Sequence, residues 1–197
     1  MTSSYNALTA GGSTLVAAIR SNSDPFLAAP CTGGGNWCVS DTINGNWSLA
    51  CNAFNASGTG NGVTIFYKGN AAPLSTSNVV TVTVPGNTAG AFYMFEASGV
   101  LPSAAVLDGC TGTEGIGGNP ISSTFTAAFP GNLLFGWSFI SNASAMLGTN
   151  FIYTLIIRNT VDMGASAINP VSGATSVQFT TNGGGTWAVV GMGLRTQ

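Results

Sequence analysis

The chain runs to 197 residues, of which 45% are apolar, four are Lys or Arg, six are Asp or Glu and none is histidine. A soluble domain is ordinarily about a quarter charged, so little is present to carry acid–base, metal or phosphate chemistry, and the repulsion that keeps proteins apart in solution is nearly absent. The composition argues against an enzyme and for a structural or adhesive module, one domain around a sizeable core.

In chain order, residues 1–10 are polar and lack both the basic start and the apolar core of a signal peptide, which fits a chain made without one or a processed form. Short β-rich segments then alternate with Gly, Asn and Pro, and no amphipathic helical period lasts three turns. Strands are expected over 13–20, 36–42, 46–53, 62–68, 78–84, 91–97, 121–127, 133–140, 150–158, 166–168, 175–180 and 186–195.

Residues 24–38 read as a loop insertion carrying Cys31 and Cys38 on either side of three consecutive glycines. Local closure across that loop pairs Cys31 with Cys38 and leaves Cys51 to pair with Cys110; buried thiols are the alternative. With no Cys-x-x-Cys and no histidine, zinc is disfavoured. Asn44-Gly45 predicts a hairpin, since both residues tolerate the positive φ of a type I′ turn. The oxygen-rich stretch 41–46 lacks the acidic spacing and terminal Glu of an EF-hand, and no metal is expected there.

Val80, Val82 and Val84 alternate with Thr81 and Thr83, the pattern of a strand covering a core on one side. Residues 133–137 and 187–190 are apolar on both faces, which predicts central strands covered twice, with part of the cover from another subunit. No linker divides the chain, and no fixed-period repeat is visible, which disfavours a propeller or solenoid. The expected architecture is therefore all-β: a single two-sheet antiparallel β-sandwich over 1–197 with jelly-roll or Greek-key connections.

The succession Val39-Ser40-Asp41-Thr42, Gly45-Asn46-Trp47-Ser48-Leu49-Ala50, Thr64-Ile65-Phe66-Tyr67, Val80-Thr81-Val82-Thr83-Val84, Phe95-Glu96-Ala97-Ser98-Gly99-Val100 and Leu107-Asp108 resembles a widespread low-charge β-sandwich module of bacteria and phages. Pro130-Gly131-Asn132-Leu133-Leu134-Phe135-Gly136 and Trp187-Ala188-Val189-Val190-Gly191 continue the same order, so the resemblance spans nearly the whole chain. It implies a lectin-like jelly roll in a surface-exposed, adhesive or virion protein whose shared residues are structural. No catalytic residue carries over, and the cysteine-bearing insertion at 24–38 departs from the usual short loop.

Among candidate site residues, Glu96 lies in an otherwise apolar strand. A general acid there would need a second carboxylate, Asp108 or Glu114; the plainer expectation is a structural carboxylate bound to loop amides or paired with Arg20 or Arg158. Serine triads are excluded by the missing histidine. The Gly-rich segments lack the helix and Lys-Ser/Thr of a phosphate cradle. Of the tryptophans, Trp37 in the cysteine loop is the candidate for stacking on a neutral glycan, whereas Trp137 and Trp187 belong in the core.

No two basic residues are adjacent, so nucleic acid is not an expected partner. No apolar run is long enough to span a membrane, and no cofactor is expected. The composition and resemblance together predict a non-enzymatic, homo-oligomeric subunit on a virion surface, a capsid decoration, tail or fibre protein, touching itself and other coat or surface proteins. A self-assembling extracellular filament, surface-layer or adhesion subunit is the alternative, favoured by disulfides, and a carbohydrate-binding module is the third reading.

Overall fold

The structure, a computed structural model, describes residues 1–22, 37–57, 61–83, 90–119, 124–141, 146–149, 154–158, 161–168, 172–181 and 185–197. Among them are seventeen strands and no helix. The first eight are β1 (Thr2–Ser3), β2 (Thr14–Ser21), β3 (Cys38–Asp41), β4 (Gly45–Asn46), β5 (Ser48–Asn55), β6 (Asn61–Lys68), β7 (Val80–Thr83) and β8 (Gly90–Ala97). There follow β9 (Leu107–Ile116), β10 (Phe125–Ala127), β11 (Leu133–Ile140), β12 (Met146–Thr149), β13 (Thr154–Arg158), β14 (Asp162–Ile168), β15 (Gly173–Thr175), β16 (Phe179–Thr181) and β17 (Thr186–Leu194).

Two inner sheets, β5-β6-β2-β8 and β13-β14-β11-β17-β9, pack face to face. Between them Val16, Ala18, Ile65 and Tyr67 meet Phe135, Trp137, Val190 and Met192 in one buried cluster. The other face of each inner sheet is covered by this same chain. The sheet β1-β7-β3-β4 lies over the first, where Leu15, Ile19 and Phe66 pack on Val39, Val80 and Val82. The ribbons β10-β15 and β12-β16 serve the second, where Leu134 and Val189 pack with Phe125 and Phe179.

The all-β antiparallel sandwich is as expected, and β11 and β17 are central strands. Their second cover, however, comes from within the chain and not from a neighbouring subunit. A fully apolar strand needs two packed faces, and the outer ribbons supply the second.

The chain is also built twice over, which no fixed sequence period discloses. In β2-β5-β6-β8 and in β11-β13-β14-β17 the first strand of each set sits between the third and fourth, with the second beyond the third. In each half a strand from the first connection pairs with one from the third, β3 with β7 and β12 with β16, to form the outer layer. Each half enters its first strand through a glycine at positive φ, Gly12 (82°) and Gly131 (86°). Each also shifts register at the same place, between Leu49 and Cys51 on β5 and between Leu155 and Ile157 on β13. Loops of unequal length separate equivalent strands, so the repeat has no constant period to find.

β9 is not among the strands expected from the sequence, and its Gly109, Gly112 and Gly115 are of a residue type depleted in strands. In the fold these glycines mark close approaches: a Cβ on Gly112 would overlap the Asn52 carbonyl of β5, and one on Gly115 would enter the Trp187 ring. Gly112→Ala should therefore force the two inner sheets apart at this seam. The expected cost is about 1–3 kcal/mol, read as a lowered denaturation midpoint.

The hairpin at Asn44-Gly45 forms, with β3 and β4 paired through Asp41↔Gly45. It is not the two-residue type I′ turn expected, because only Gly45 has positive φ (67°) there. Asp41 organises the turn instead: its Oδ1 accepts from the amides of Ile43 (2.8 Å) and Asn44 (2.6 Å), and its Oδ2 accepts from the Trp47 indole (2.7 Å). Both carboxylate oxygens are thereby committed to the turn.

Candidate functional site at the open edge of the inner sheets

The two long sides of the sandwich differ. On one side β5 faces β9, and the seam is closed by the Cys51–Cys110 disulfide, which joins residues 59 apart in sequence. Asn55 Nδ2 strengthens the seam by donating to the carbonyls of Gly115 (2.6 Å) and Trp187 (3.2 Å). The expected pairing of Cys51 with Cys110 is thus observed. Cys38 is also disulfide-bonded; its expected partner Cys31 lies outside the described residues.

On the opposite side the first inner sheet ends at β8 and the second at β13. One end of this side is clasped by charge. The Arg20 Nε lies 2.9 Å from Asp162 Oδ1, as an ion pair without hydrogen-bond alignment, and the two side chains are 21% and 2% exposed. The Tyr93 hydroxyl donates to Asp162 Oδ2 (3.3 Å), and the Arg20 guanidinium sits 5.0 Å from the Phe139 ring centroid. Tyr93 leans on Trp137 and Phe95 on Phe135, each with ring centroids 5.0 Å apart.

Beyond this clasp a cleft of about 540 Å³ opens between β8 and the second inner sheet. Its floor reaches the core at Val16, Phe135 and Leu194, and its rim includes Glu96, Ser166 and Ile156. Glu96 is exposed and accepts from the Ala10 amide at 2.5 Å. This is the expected anchoring of a loop amide. The alternative pairing with Arg20 is corrected, because Arg20 is turned to Asp162 across the sandwich; the Arg158 side chain lies outside the described residues.

Asp108, one second carboxylate considered for acid–base work with Glu96, belongs to β9 on the other long side. There it meets Arg195 Nε at 3.3 Å and accepts from the Ala128 amide and the Asn132 side chain. Glu114 is likewise on β9.

Trp37 is corrected as a ligand platform. It is 0% exposed, enclosed with Val39 and Val82 in the outer-layer core, and an indole covered on both faces cannot stack on a sugar. Asp162 and Tyr5 had no sequence signal. Asp162 is marked only by its position opposite Phe139 in the sheet. The Tyr5 hydroxyl donates to the Phe95 carbonyl of β8 (3.0 Å). Burial first, then the Glu96 and Asp41 carboxylates, holds its phenol far above the ordinary range, so it stays a donor.

Compared with protein-family models, curated proteins and solved structures, the chain matches none.

Proposed function

We propose that this chain is a non-enzymatic structural subunit of a homo-oligomeric assembly on a virion exterior, a capsid decoration, tail or fibre protein. The observation that supports it best is a doubly layered, disulfide-tied body with only ten ionisable Asp, Glu, Lys or Arg side chains in all. Such a surface offers neutral hydrogen bonds and apolar contacts to its neighbours. Leu8 (69%), Ile116 (71%) and Ile168 (61%) are large apolar side chains left in solvent. Other coat or surface proteins would be met through the same neutral contacts, and with four Lys and Arg in the chain nucleic acid is not a proposed partner.

The second reading, an extracellular filament or surface-layer subunit, is favoured by the inter-sheet disulfide, which is at home in oxidising surroundings. Carbohydrate binding loses its aromatic platform with Trp37 enclosed.

Sedimentation of native material, with electron microscopy of the sedimented species, tests the proposal. The expected result is a symmetric oligomer or lattice that persists at about 1 M salt, because screening acts only on charges. A monomer at high concentration, or dissociation on adding salt, overturns it.

A further inference from the structure

The inner sheets of the two halves are alike except at one position. β17, the last strand of the second half, pairs on its outer side with β9 over nine residue pairs, antiparallel. β8, its counterpart in the first half, ends its sheet, and no described strand lies beyond it. The first inner sheet therefore has four strands against five in the second. The cleft of about 540 Å³ lies at this missing fifth place, with Phe95 and Glu96 of β8 on one wall and Ile156, the bulge residue of β13, on the other.

β9 faces β5 on the closed side, so a strand placed beside β8 would face β13 in the same manner. Such a strand extends the hydrogen-bond ladder of β8 and covers an apolar floor. β8 has no Lys and no Pro to discourage it.

The repeat also indicates which segment fits. β9 and β10 are the strands immediately upstream of the second half; immediately upstream of the first is the amino-terminal segment, which in its own chain takes the place of β10, β1 pairing β7 as β10 pairs β15, while no described strand takes the place of β9. Residues 1–8 are exposed or half-exposed, with the Tyr5 ring packed on the outer-layer core, and the strand they contribute, β1, is two residues long. The segment carries no charged side chain, and Leu8 is 69% exposed. Thr9, by contrast, is pinned: its amide donates to Leu74 O (3.0 Å) and its Oγ1 accepts from the Leu74 amide (2.8 Å). It is the natural hinge. In its own chain this segment is held in the outer layer along β7 and by the Tyr5 hydroxyl on the Phe95 carbonyl of β8, contacts that it releases to add to a second copy.

We infer that the open edge of β8 is a strand-acceptor site, and that its occupant is residues 1–8 of a second copy of this chain, added antiparallel to β8 at the place β9 takes beside β17. The inference rests on the homo-oligomer reading and names its interface.

Two variants test it by sedimentation, with circular dichroism to confirm that each is folded. A chain lacking residues 2–8 keeps the acceptor and loses the donor. Ala91→Pro removes a backbone N–H that alternation along β8, counted from Phe95 whose carbonyl accepts from the Tyr5 hydroxyl, turns away from β2, and keeps the donor strand. Each alone is expected to lose the oligomer and run as a monomer, and their mixture to recover a one-to-one pair, since one supplies the strand and the other the edge.

If either variant associates as the unaltered chain does, or if the mixture stays monomeric while the unaltered chain associates, the strand-acceptor inference is overturned and the homo-oligomer reading stands. An unaltered chain that is itself a monomer overturns both.

Discussion

Asp162→Ala should destabilise the fold by about 3 kcal/mol, near the lower end of the range for removing one partner of a buried ion pair. The lower end applies because Arg20, 21% exposed, can still reach some water once its carboxylate is gone. The loss has three parts on the page: the Arg20 pair, the Tyr93 hydroxyl bond, and the placement of the guanidinium over Phe139. Together they join β2 and β8 of one inner sheet to β11 and β14 of the other at the side opposite the Cys51–Cys110 disulfide. Urea denaturation reads the effect as a fall in midpoint at unchanged slope. A double variant, Arg20→Met with Asp162→Leu, should recover much of the loss, because replacing both charges leaves no orphan. An Asp162→Ala protein within about 0.5 kcal/mol of the unaltered chain, the ordinary range of surface changes, would show that the clasp holds nothing together.

Removing the Cys51–Cys110 bridge, as Cys51→Ala with Cys110→Ala, should cost about 4 kcal/mol, the chain-entropy value for a loop of some sixty residues. The bridge expected from the sequence between Cys31 and Cys38 would close a far shorter loop, and its loss should cost about 2 kcal/mol on the same basis. The reduced protein should nevertheless keep its fold, because the seam has other ties: Asn55 to Gly115 and Trp187, and the close approach of Gly112 to Asn52. Denaturation midpoints with and without reductant, beside far-ultraviolet circular dichroism, check both statements. Equal costs for the two bridges would contradict the loop-length reasoning, and complete unfolding on reduction would contradict the account of the seam.

What was legible in the sequence is what a local pattern can encode. The alternation at Val80–Thr83 gave a strand with one buried face, and the unbroken apolar runs around Trp137 and Val190 gave central strands. The Cys51–Cys110 pair followed from counting, and Glu96 was readable as a carboxylate that anchors a loop amide. Each of these depends on neighbours in the chain or on arithmetic among four residues.

The rest was decided by residues far apart in sequence. The glycines of β9 weaken its strand signal until the carbonyl of Asn52 and the ring of Trp187 come close enough to require them. Trp37 reads as an exposed loop aromatic until the outer sheet closes over it, and nothing marks Asp162 until Arg20 arrives from the facing sheet. The repeated topology is likewise invisible, because pairing order is a relation between strands that loops of any length can join. Composition and period thus determined that this chain makes neutral, largely apolar strands. Only the tertiary structure, by setting which backbone edges meet, decided that the seam of β5 and β9 is closed and that β8 ends its sheet among the described strands.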